Sequence, residues 1–117
     1  MMVEFTLDGQ EFMALNGGAT PHQNRGPAPG SIALLVRCET QAKVNVLWES
    51  LSEGGEKLQC GWVRDKYGVT WNIVPSGLSD YLNGDDPEKS ARAMHAMLQM
   101  EKLDLDEIRR AYDDSNL

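Results

Sequence analysis

The stretch Thr40–Pro75 reads "TQAKVNVLWESLSEGGEKLQCGWVRDKYGVTWNIVP". In its first half Val44, Leu47, Trp48 and Leu51 recur at i, i+3, i+4 and i+7, one apolar stripe along a helix. Thr40 suits the N-cap of a helix over Gln41–Ser52, and Gly54-Gly55 suits its end. The period then changes. Lys57–Arg64 and Val69–Val74 read as strands joined through "DKYG", with Gly68 free to take positive φ, and a short strand is expected just before Cys60. One residue resists the pattern. Asn72 stands among Trp71, Ile73 and Val74, and an amide there either faces a pocket or satisfies nearby backbone groups.

Upstream, Val3–Leu7 and Glu11–Leu15 flank Asp8-Gly9, a strong hairpin signal. Asn16–Gly30, "NGGATPHQNRGPAPG", is rich in Gly and Pro, lacks periodicity and reads as a long loop. Ser31–Cys38, "SIALLVRC", is a near-continuous apolar run, which predicts a buried strand. Downstream of Pro75 the pattern turns helical. Asp86-Pro87 is a cap followed by proline at the first helical position, with Ala91, Met94, Met97 and Leu98 as the apolar face. A last helix is expected from Asp104, with Glu107 at capping-box spacing. The class is α+β in a single domain spanning 1–117: a hairpin over 3–15, a β-α-β-β-β unit over 31–74 and C-terminal helices over 86–112.

Composition narrows the partners. The 117 residues carry a net charge of -7 and 41% hydrophobic residues. Such a chain repels phosphate backbones and shows no basic stripe, so nucleic acid is not an expected partner. No apolar run reaches the roughly 18–20 residues of a membrane span, and the N-terminus does not resemble a secretion signal. The reading is cytoplasmic with no membrane partner. Cys38 and Cys60, outside any CxxC pattern, fit a reducing compartment, and they meet only if their strands are neighbours.

Three segments, "FTLDGQEFMALNGG", Thr40–Pro75 as quoted above, and "DPEKSARAMHAMLQMEKLDLDEI", resemble the PhnB-like proteins. That family is also labelled 3-demethylubiquinone-9 3-methyltransferase and sits in the vicinal oxygen chelate superfamily, with glyoxalases, bleomycin-resistance proteins and dioxygenases. The resemblance implies a glyoxalase/bleomycin-resistance-like fold of two βαβββ modules around a pocket. On that plan 31–74 is a whole second module, and Val3–Leu15 resembles only the last two strands of a first one. The preceding strand, helix and strand have no counterpart in the chain as it stands. A two-fold homodimer, each copy completing the other's sheet, is the expectation that follows.

The resemblance also implies positions for a metal. Metal-dependent superfamily members use His, Glu or Gln on inward-facing strand positions; here those positions hold Ser31, Met13 and Asn72. Amide, thioether and hydroxyl are poor ligands for Zn²⁺ or Fe²⁺. No metal and no other cofactor is therefore expected. Methyl transfer, as in the family label, has no support in the residues: Asn16–Gly18 follows a strand, but a Pro-rich segment comes next instead of the helix of a dinucleotide-type turn. His22 lies in the long loop and could overhang a pocket, whereas His95 reads as a helical surface or packing residue. Trp62 and Trp71, on adjoining strands, are expected to line one concave face.

The resulting expectation is a binding protein that holds a small, partly apolar molecule between modules, with Asn72, Trp62, Trp71, His22, Ser31 and Met13 as candidate contacts. Two alternatives accompany it. One is a metal-dependent enzyme of lyase, isomerase or dioxygenase type whose ligands are completed across a dimer; the other is an interaction module without a ligand.

Overall fold

The computed structural model describes residues 2–15 and 32–114. Its elements run β1 (Met2–Leu7), β2 (Gln10–Leu15), β3 (Leu34–Cys38), α1 (Gln41–Ser52), β4 (Glu56–Lys57), β5 (Trp62–Arg64), β6 (Thr70–Pro75), α2 (Leu78–Leu82), α3 (Pro87–Leu98) and α4 (Leu105–Asp113). The architecture is α+β. The strands form two sheets: the hairpin β1-β2, and a four-stranded sheet ordered β3-β6-β5-β4. Within the latter β3 and β6 run parallel, joined through α1 and the β4-β5 hairpin, while the other pairs are antiparallel.

Local chemistry fixes most boundaries. Asp8 and Gly9 take φ of 51° and 76°, the double positive φ of a primed hairpin turn, and set Leu7 opposite Gln10. Thr40 accepts a hydrogen bond from Lys43 N at 3.2 Å and starts α1 where the sequence predicts. Asp86 accepts from Glu88 N and Lys89 N at 3.0 and 3.3 Å, and Asp104 from Glu107 N at 3.2 Å. The Glu107 carboxylate does not return to its cap; it lies 3.8 Å from Arg110.

Two cores result. Val44 and Trp48 of α1 pack on Cys38, Val63 and Ile73, with Val36, Leu47, Leu51 and Trp71 around them. Leu78, Ala93, Leu103 and Ile108 form the second, against Val74 at the end of β6. The Gln41 side chain ties the two together, donating to Leu103 O at 2.8 Å and accepting from Leu105 N at 3.0 Å. Arg92 finishes α4 by donating to the carbonyls of Ala111 and Tyr112.

Three expectations are corrected. The apolar run before Cys38 is an edge strand, and Leu34 and Leu35 remain 46% and 40% exposed. Burial of both faces needs a layer on each side, and among the described residues the core over Val36 and Cys38 is supplied by α1 on one side. The segment Lys57–Arg64 is split in two, because Cys60 and Gly61 both take positive φ, 59° and 81°. On α3 the buried residue is Ala93, while Met94 and Leu98 are exposed. Cys38 and Cys60 form no disulfide, and β3, which ends at Cys38, lies beside β6.

Candidate functional site

Register decides which side chains can act together. Across the four-stranded sheet Leu35 pairs with Asn72 and Asn72 with Trp62, so these three form one row on one face. Val36, Val63, Trp71 and Ile73 occupy the other face, in the core under α1. Trp62 and Trp71 therefore do not line one wall: Trp62 opposes Asn72, and Trp71 opposes Val63. Side chains alternate between faces along a strand, so adjoining strands bring two residues together only when their register agrees.

Asn72 answers for its amide first through structure. Its Nδ2 donates to Cys60 O at 3.2 Å. Ile73 N donates to Gly61 O at 2.9 Å, Cys60 N to Met100 O at 2.8 Å and Gly61 N to Glu101 O at 2.7 Å. The Cys60-Gly61 turn thus joins β6 to the segment after α3. A Cβ at Gly61 would lie 2.9 Å from Ile73 O and from Leu103 Cδ1, so glycine is required for both φ and space. The bond to Cys60 O uses one amide hydrogen. Asn72 Oδ1 has no hydrogen bond among the described residues and stays available as an acceptor on a half-buried residue. On the same turn Gln59 Oε1 is buried without a partner among the described residues.

The "DKYG" turn has its own centre, which the sequence reading missed. Asp65 Oδ1 accepts from Tyr67 N and Val69 N, each at 2.9 Å, and Oδ2 from the Trp71 indole N–H at 2.9 Å. The indole bond, followed by the backbone donors, holds this carboxyl below its ordinary 3.8. Its stabilising contribution is complete above the unfolded value and is lost as pH falls through the lower folded one. An Asp three residues before a turn Gly was the available signal. Burial pushes the Cys38 thiol up, partly offset by Lys43, which leaves it a packing group.

The remaining candidates are dispersed. Met13 sits on β2 in the separate hairpin sheet, 41% exposed. Ser31 and His22 lie outside the described residues. His95 is exposed on α3. The described residues hold no group of three or more His, Cys, Asp or Glu side chains able to bind a metal ion. The superfamily's divalent metal does not fit what is present: Asn72 offers a neutral amide already engaged with Cys60 O, and Met13 a thioether on another sheet.

A family model described as 3-demethylubiquinone-9 3-methyltransferase matches residues 1–74. The chain belongs to this family. The PhnB protein of Bacillus cereus, a putative 3-demethylubiquinone-9 3-methyltransferase of known structure, is 28% identical to it. That match covers 65% of this chain and 64% of the other, with a TM-score of 0.39. The chain thus spans less than two thirds of that PhnB protein. No curated protein matches. The β-α-β-β-β order of β3 to β6 is that of a glyoxalase/bleomycin-resistance module, and residues of this PhnB-like chain after Pro75 add the second, helical core. No helix among the described residues is long and apolar enough to cross a membrane.

Proposed function

We propose that this PhnB-like chain binds a small, partly apolar molecule on the sheet face opposite α1, in a pocket completed by a second copy, without a catalytic metal. The observation that carries the proposal is the row Leu35–Asn72–Trp62. An aliphatic, an amide with a free acceptor and an indole lie side by side on a face that α1 does not cover. Apolar walls with a few placed polar groups are how small-molecule sites select their ligands. Trp62 offers a flat surface for stacking, Leu35 apolar area, and Asn72 Oδ1 an acceptor for a ligand N–H or O–H. Two cysteines that form no disulfide suit the cytoplasmic location we assign.

Thermal shift against a panel of small organic molecules, divalent cations and S-adenosylmethionine tests this reading. Organic ligands alone should raise Tm, and both Asn72→Leu and Leu35→Ser should weaken that rise by about tenfold in apparent affinity. Leu35 is exposed, so its replacement leaves the unliganded Tm near wild type. Stabilisation by a cation together with an organic ligand would support the metal-dependent reading. Stabilisation by S-adenosylmethionine would support the activity in the family's description. An unchanged response in both variants removes the row from the site.

A further inference from the structure

Gln59 Oε1 is buried with no partner among the described residues, on a half-buried residue at the tip of the β4-β5 hairpin. Two bonds fix the backbone there. Trp62 N donates to Gln59 O at 3.1 Å, and Leu58 N donates to Trp62 O at 2.9 Å. Leu58 and Gln59 thus stand together opposite Trp62, which is a β-bulge, and Cys60 and Gly61 close the turn at positive φ. Faces follow from the ladder. Lys57 pairs with Val63 and reaches Glu49 of α1, so both belong to the α1 side. Leu58, the next residue, falls on the opposite side with Trp62. Simple alternation would send Gln59 back toward α1, and the bulge re-aims it to the Trp62 side instead.

We infer that Gln59 is a specificity-determining residue of the Leu35–Asn72–Trp62 wall, and that the ligand is an uncharged aromatic ring carrying two hydrogen-bond donors. The inference rests on the proposal that this row binds a small molecule, and it names the class of that molecule. Asn72 and Gln59 stand opposite Trp62 from its two sides, so the indole lies between two amides. Asn72 Nδ2 donates to Cys60 O, which leaves Oδ1 as an acceptor, and Gln59 Oε1 is the second. A flat ring stacked on the indole meets an acceptor at either edge. Leu35, Asn72, Trp62, Leu58 and Gln59 carry no charge, and Arg64, next along that face, is paired with Glu56 at 3.2 Å. A carboxylate or phosphate is not matched there, and the net charge of -7 disfavours anions further. The buried oxygen makes the choice sharp. A ligand that donates to it relieves an unpaired acceptor, whereas a ring without a donor leaves it unpaired.

Proton–nitrogen NMR titration of the full chain tests the inference. The probes are resorcinol, its monomethyl ether and its dimethyl ether, one ring with two, one and no donors, and benzoate as the anion. Resorcinol should shift the side-chain amide signals of Gln59 and Asn72 and the indole N–H of Trp62. It should bind about tenfold more tightly than the dimethyl ether, with the monomethyl ether between them. Gln59→Met keeps the side chain's length and removes its polar atoms. It should weaken resorcinol about tenfold, leave the dimethyl ether unchanged, and hold Tm at or above wild type because an unpartnered buried oxygen is gone. A fall in Tm would mark the amide as structural and overturn its role. Equal binding of the three neutral probes, or a preference for benzoate, would overturn the ligand class. Resorcinol affinity that ignores Gln59→Met but falls with Asn72→Leu would remove Gln59 and leave the row standing as a site. Indifference to both variants would remove the row as well. Silence toward every probe would sink this ligand class, and the row falls with it only if the wider organic panel is silent too.

Discussion

The four-stranded sheet and the N-terminal hairpin are built from similar residues and end in different states. In the sheet, Val63 and Ile73 reach 0% exposure because α1 supplies Val44 and Trp48 over them. In the hairpin, Val3, Phe5, Leu7 and Phe12 share one face, yet each is 41–59% exposed. Phe5 and Phe12 stack at 5.6 Å, but nothing among the described residues buries the pair. Among the described residues one ion pair, Glu11 with Arg37 at 3.9 Å, links the hairpin to the sheet, and it is mostly exposed. Such a pair contributes at most about 1 kcal/mol, and an isolated two-stranded hairpin is marginal in water. Turn chemistry is enough to shape a hairpin, and a covering layer is what makes a sheet stable.

The comparison is sharpest at Ile73. Ile73→Ala opens a cavity under α1 and should cost about 2–5 kcal/mol in urea unfolding, without changing the m-value. A cost under about 1 kcal/mol would mean the core is looser than its burial implies. Gly61→Ala comes next, at about 1–3 kcal/mol, from a side chain forced into positive φ against Ile73 O and Leu103. Because this turn joins the sheet to the segment after α3, the same variant should speed hydrogen exchange at Met100 and Glu101. Unfolding confined to the turn, with those amides unaffected, would separate the C-terminal helices from the sheet.

What could be read from the chain follows the same division. Elements whose ends are set by local chemistry were legible: Asp8-Gly9, and the caps at Thr40, Asp86 and Asp104 all act where the residues predict. Features that depend on what lies across the chain were not. The run Ile32–Val36 reads as buried because its apolarity is continuous, but apolarity does not say whether the covering layer belongs to the same molecule. The α3 face is rotated from Met94 and Leu98 to Ala93, because a small residue lets α4 approach closely. Trp62 and Trp71 look like companions until the register across the "DKYG" turn separates their faces. Cys60 at positive φ breaks a strand that its neighbours would continue, and nothing in its residue type announces it. For the site, Asn72 was legible as an anomaly, but its bond to Cys60 O needed the fold. His22 and Ser31 lie outside the described residues, so their part in the site stays a proposal.

Asp104→Ala tests the helical layer that gives the module its second core. Loss of the bond to Glu107 N should cost about 1 kcal/mol and fray the first turn of α4, seen as faster exchange there. The smallest effect belongs to the hairpin. Phe5→Ser should change subunit stability by less than about 0.5 kcal/mol, since the ring has little to lose. Equal costs at Phe5 and Ile73 would mean that the hairpin is covered after all, and a loss of dimer on Phe5→Ser would say that the cover is the second copy. The contrast between the two regions would then reduce to one principle acting twice, with α1 as the layer in one case and a neighbouring subunit in the other.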